Sequence, residues 1–134
     1  MSGRFRQVEH TADIGFELTG DKPEDLFEAA ARALSDFFSD EDTPRIEIRN
    51  ISVSAEDPES LLVDFLNELI YLASYEGWVA GSASVQLEGN RLTAVLKGSR
   101  PKDGVGGEIK AATYHQVGIR RENGRWRTRV FFDV

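Results

Sequence analysis

The sequence predicts an α+β domain, a mostly antiparallel β-sheet with two helices packed on one face. Three observations predict it. Two stretches carry apolar residues at helical spacing behind a proline, most of the remainder alternates apolar and polar residues, and two dipeptides, Gly89-Asn90 and Asn123-Gly124, have the chemistry of tight hairpin turns. The connections are short, which favours antiparallel neighbours, and a split into two stacked sheets is the alternative. With 134 residues and 40% hydrophobic content, residues 1–134 form one domain with length enough for a sizeable core.

Ile14, Phe16 and Leu18 alternate with Gly15 and Glu17, a half-buried strand that starts at Asp13. Asp21-Lys22-Pro23-Glu24-Asp25 opens a helix to about Phe38, with proline in its first turn, acids near its positive end, and Leu26, Ala30, Leu34 and Phe37 or Phe38 as its apolar stripe. From Arg45 to Ala55 the apolar phase shifts between Ile48 and Ile51, which predicts a strand with a bulge near Asn50.

Asp57 caps the second helix and Pro58 follows. Leu61, Leu62, Phe65, Leu66, Leu69, Ile70 and Ala73 form its core face, with Asp64, Asn67, Glu68 and Tyr71 on the solvated one. Beyond Trp78 the chain reads as β throughout. Val85–Glu88 and Leu92–Val95 flank the first turn, and Val117–Glu122 and Trp126–Phe132 flank the second. Between them Gly98–Gly107 has the glycine content of a mobile loop, without the spacing of a phosphate-binding motif.

The net charge of -7 is unevenly distributed. Residues 1–96 hold 19 acids and 7 bases, net -12, whereas residues 97–134 hold 9 bases and 4 acids, net +5. An acidic body argues against strong direct nucleic-acid binding, because phosphate affinity comes mostly from Lys and Arg. No apolar run is long enough to span a bilayer, and Met1-Ser2-Gly3-Arg4 lacks the apolar core of a secretory signal, so a cytoplasmic location without membrane association is expected. Zero cysteines exclude disulfides and zinc–thiolate sites.

Chemistry-bearing residues are few. Asp133 stands at the end of the apolar run Val130-Phe131-Phe132, and Asp13 follows the His10-Thr11-Ala12 segment. If the two ends of the chain meet, Asp13, Asp133 and oxygens of Val134 make a hard-cation site for calcium, magnesium or manganese; a solvated terminal acid is the plain alternative. His10, His115 and a carboxylate could hold zinc, but without the helical spacing that makes such a site specific. No Gly-x-Ser-x-Gly elbow accompanies any serine. Lys110, Thr113, Tyr114 and His115 crowd one loop-to-strand junction, although strand alternation sets Thr113 and His115 on one face and Tyr114 on the other.

Four segments in register, His10-Thr11-Ala12-Asp13-Ile14, Leu62-Val63-Asp64-Phe65-Leu66-Asn67-Glu68-Leu69, Lys110-Ala111-Ala112-Thr113-Tyr114-His115 and Phe132-Asp133-Val134, together resemble the archease family over essentially the whole chain. One departure is Phe65, where that family leads one to expect Trp. The resemblance implies a protein that is not itself an enzyme. It would activate an RtcB-type RNA ligase of tRNA splicing by promoting its guanylylation and multiple turnover. It implies that Asp13, Asp133 and an oxygen of Val134 bind a divalent cation, and that Lys110 is a further functional residue, with His10 and His115 as additional candidates. A chaperone-like role toward a tRNA methyltransferase is an alternative. From other classes come a stand-alone metal-dependent phosphohydrolase and a direct RNA binder acting through Arg125, Arg127 and Arg129, which alternate on one strand face without interleaved aromatics beyond Trp126 on the opposite face.

Overall fold

A computed structural model gives the fold, describing residues 3–8, 13–39, 42–113 and 118–134, with the backbone alone described at positions 8 and 13. The elements are β1 (Arg4–Val8), β2 (Asp13–Gly20), α1 (Pro23–Phe38), β3 (Glu47–Ser54), α2 (Pro58–Glu76), β4 (Val79–Glu88), β5 (Arg91–Ser99), β6 (Ala111–Thr113), β7 (Arg120–Glu122) and β8 (Arg125–Asp133). Every strand pairing among them is antiparallel.

The α+β class holds, but the strands divide into two sheets. One has the order β1-β2-β8-β6 with β7 also on β8, and the other has the order β3-β5-β4. α1 packs against β4 of the smaller sheet and β2 of the larger, and its alanines, Ala29, Ala30, Ala31 and Ala33, are all buried. Small side chains let a helix approach two surfaces closely, which is why α1 is alanine-rich. α2 meets β6, β3, β4 and α1, and Phe27 and Phe65 join the helices with ring centroids 6.0 Å apart.

The caps explain the helix boundaries. Asp25 reaches back to accept hydrogen bonds from the Asp21 and Lys22 backbone N–H groups, each at 3.0 Å, so the first turn of α1 closes on a buried carboxylate. Gly20 makes room for it, since a Cβ there would lie 2.3 Å from that of Asp25. Asp57 accepts from the Ser60 N–H at 2.7 Å, and this bond holds its carboxyl below the usual range. α2 ends where Gly77 adopts φ 65°, letting the Gly77 and Trp78 N–H groups reach the Ala73 and Leu72 carbonyls. At the β7–β8 turn Asn123 and Gly124 have φ of 54° and 78°, the conformation this dipeptide favours.

Three expectations change. β3 has no bulge near Asn50: its register with β5 runs unbroken from Glu47↔Gly98 to Ser54↔Arg91, and the irregularity lies in β4 between Ala80 and Ser82. The apparent phase shift arises because Ile46 and Ile48 are exposed, at 77% and 62%, while Ile51 and Val53 turn toward the core. Gly98 and Ser99 belong to β5, so the loop starts only at Arg100, and within it the Gly106 N–H donates to the Phe38 carbonyl at 2.7 Å and Gly107 lies against the Phe37 ring. Asn67, expected on a solvated face, is half-buried and bound across the domain.

Candidate functional site

Three strand ends of the larger sheet converge at one place. β8 finishes at Asp133 between the start of β2, where Asp13 is its direct cross-strand partner, and the start of β6, where Ala111 pairs with it from the other side. The Lys110 N–H donates to the Asp133 carbonyl at 2.8 Å, so Lys110 is fixed beside the same residue. The sequence places these residues there for an ordinary reason. Val130, Phe131 and Phe132 are all buried and anchor β8 in the sheet, which carries exposed Asp133 and Val134 to its rim.

Asn67 of α2 holds β6 in position, its Oδ1 accepting the Ala112 N–H at 2.7 Å. That N–H lies on the outer edge of the sheet and would otherwise lack a strand partner. Glu59 does the same for the Ile119 N–H at 2.9 Å, and Glu28 of α1 for the Val85 N–H on the β4 edge at 2.8 Å. Beside β6, α2 and residues 105–111 enclose a cleft of about 620 Å³, with Tyr71 and Tyr75 along one wall and Glu108 and Lys110 on the other. The two tyrosine rings stack with centroids 4.9 Å apart and remain 49% and 79% exposed.

The structure thus brings together the backbones of Asp13, Asp133 and Lys110, with Val134 adjoining. His10 and His115 lie outside the described residues, as does Tyr114. Among the described residues no group of three or more His, Asp or Glu side chains is placed to hold a metal. The residues at the strand ends, Asp13, Asp133 and Val134, carry only oxygen donors, the type that could hold a hard cation such as calcium, magnesium or manganese and not a soft one. Sequence reasoning missed Asn67 as a positioning residue. Its one available signal was its place within the Leu62–Leu69 segment. No helix among the described residues is long and apolar enough to cross a membrane.

The fold and the strand-end geometry define a small α+β domain that gathers oxygen-bearing residues, one lysine and an open cleft at one corner. Residues 5–134 match the archease protein family, and the chain belongs to it. It is 38% identical to the protein archease of Pyrococcus furiosus over 98% of this chain and 99% of that one, and 35% identical to that of Archaeoglobus fulgidus over the same shares. Among solved structures, it is similar to the crystal structure of an archease, possible chaperone, from Thermotoga maritima, with a TM-score of 0.72, 31% identity and 96% of each chain covered. It is also similar to the solution structure of Methanobacterium thermoautotrophicum protein 1598, with a TM-score of 0.77, 28% identity and 99% of each chain covered. Membership of this family supports an accessory role acting on a protein partner.

Proposed function

We propose that this protein is an accessory factor that activates an RtcB-type tRNA-splicing RNA ligase, promoting its guanylylation so that it turns over repeatedly. The observation that carries the reading is the direct pairing of Asp13 with Asp133, beside Lys110, in a chain of the archease family. Cross-strand partners have Cβ atoms about 4.5–5.5 Å apart on one face, a separation at which two carboxylates can share one ion at about 2.3–2.6 Å. Asp13, Asp133 and an oxygen of Val134 would hold a divalent cation. Such a cation supplies charge compensation for a nucleotide triphosphate. Lys110, whose backbone is held on Asp133, adds a positive charge at the same corner, and a small domain presenting this corner at its rim can reach a recessed, anionic nucleotide site. The protein partner is the ligase, and the setting is the cytoplasm.

A guanylylation time course of a cognate RNA ligase, with and without this protein, tests the reading. Acceleration at substoichiometric amounts, lost in Asp133→Asn and Lys110→Ala, is the expected result. Hydrolysis of GTP by this protein alone would replace the reading with the phosphohydrolase one. Suppressed aggregation of a tRNA methyltransferase with no effect on a ligase would replace it with the chaperone one.

A further inference from the structure

The outer face of the larger sheet carries a concentration of arginine that the strand-end site does not use. Register puts Arg4 and Arg6 of β1, Glu17 and Thr19 of β2, Arg127 and Arg129 of β8, and Arg120 of β7 on that face, while Phe5, Phe16, Leu18 and Val130 point to the core. Arg125, opposite Glu122, continues it. Five of these six arginines ion-pair with three carboxylates, Glu17, Glu122 and Asp21, in a chain whose formal charge is -7, and along β8 the same face runs on through buried Phe131 to exposed Asp133 at the strand end.

Glu17 sits at the centre. Its carboxylate takes Arg127 at 2.9 Å, Arg6 at 3.1 Å and Arg129 at 3.6 Å. Three guanidiniums offer about fifteen N–H donors to a carboxylate with about four lone-pair sites, so most donors remain for a ligand. Arg120, Arg127 and Arg129 line a cleft of about 350 Å³ beside Glu17.

We infer that this face binds the phosphodiester backbone of RNA, without reading its bases. The arginines span three strands, wider than one phosphate, so the complementary ligand is a polyanion. A protein interface is anchored by buried apolar and aromatic side chains. The large exposed hydrophobics, Ile46, Ile48, Tyr71, Tyr75, Val95 and Val134, lie off this face, and Trp126 packs on its core side. Among the described residues the one aromatic that register sets on this face, Phe131, is 2% exposed and offers no open platform for splayed bases, so the face suits a helical backbone held by charge and by bidentate arginine–phosphate bonds. The acidic remainder of the chain confines RNA to this side, and binding by a handful of contacts weakens steeply with salt.

Anisotropy of a labelled RNA duplex, titrated between about 50 and 200 mM salt, reads this directly, since each phosphate contact adds about 0.9 to the slope of log affinity against log salt. Arg127→Gln with Arg129→Gln should lower the slope by about 2. Glu17→Gln, which releases guanidiniums and removes a negative charge, should tighten binding several-fold. If the double variant does not fold, as judged by circular dichroism, Arg120→Gln with Arg125→Gln carries the same test, because both side chains are exposed. Unchanged slopes in a folded variant would overturn the assignment. So would displacement by inorganic phosphate at equal phosphate concentration, which marks a free-phosphate pocket, or equal binding of polyglutamate, which marks an acidic protein partner.

Discussion

Replacing Asp133 by Asn separates a functional cation site from a structural carboxylate. Asp13 and Asp133 are direct cross-strand partners. Two like charges about 5 Å apart in a water-like dielectric repel by about 0.8 kcal/mol, within the range of cross-strand pair energies. Without a cation, Asp133→Asn should therefore be neutral or stabilising by up to that amount, a rise in Tm of about 3 °C for a domain this size. With a divalent cation at about a hundred times its Kd, the parent protein should gain about 2.7 kcal/mol, and the variant far less. Thermal unfolding followed by circular dichroism, in chelator and then in calcium, magnesium or manganese, measures all four states. A variant several degrees less stable in chelator would make Asp133 a structural residue. An equal cation shift in parent and variant would place any bound ion elsewhere, and either result would refute the reasoning.

Asn67→Leu removes the acceptor of the Ala112 N–H and should cost about 1–3 kcal/mol in a urea titration, because an edge donor facing a helix is left unpaired. Phe65→Ala, at 0% exposure between the two helices, should cost about 3–5 kcal/mol in the same assay. Burial pushes the Glu17 carboxyl up, but hydrogen bonds and charge from Arg127 and Arg6 outweigh it and hold the group below its ordinary value of 4.5. Its stabilisation is therefore present above that value and lost as the pH falls through the lower folded one, so the acid limb of a stability–pH profile should flatten in Glu17→Gln.

The helices and hairpins were legible because their signals are local. Pro23 and Pro58 mark helix starts, and Asn123-Gly124 supplies two residues that accept positive φ. β1 was not legible. Arg4-Phe5-Arg6-Gln7-Val8 shows little alternation, and it is a strand because it pairs with β2 over its whole length. The missing bulge has the same origin, since two exposed isoleucines imitate a change of buried face. At the candidate site, the meeting of the chain ends was inferred from Asp13 and Asp133 and from family resemblance, and Lys110 was marked by the loop-to-strand junction before the resemblance gave it a role. Asn67 and Glu17 owe their roles to partners 45 and 110 residues away, which no window along the sequence could show.

The bonds from Glu59 and Asn67 to the Ile119 and Ala112 N–H groups do more than satisfy edge donors. They tie α2 at two points to the larger sheet, and the second lies one residue from Ala111, the partner of Asp133. Asn67 thus joins α2 directly to the strand whose first residue pairs with Asp133. The exposed Tyr71–Tyr75 wall begins one helical turn beyond Asn67, so the helix face open to solvent and the bond that seats β6 belong to one rigid element.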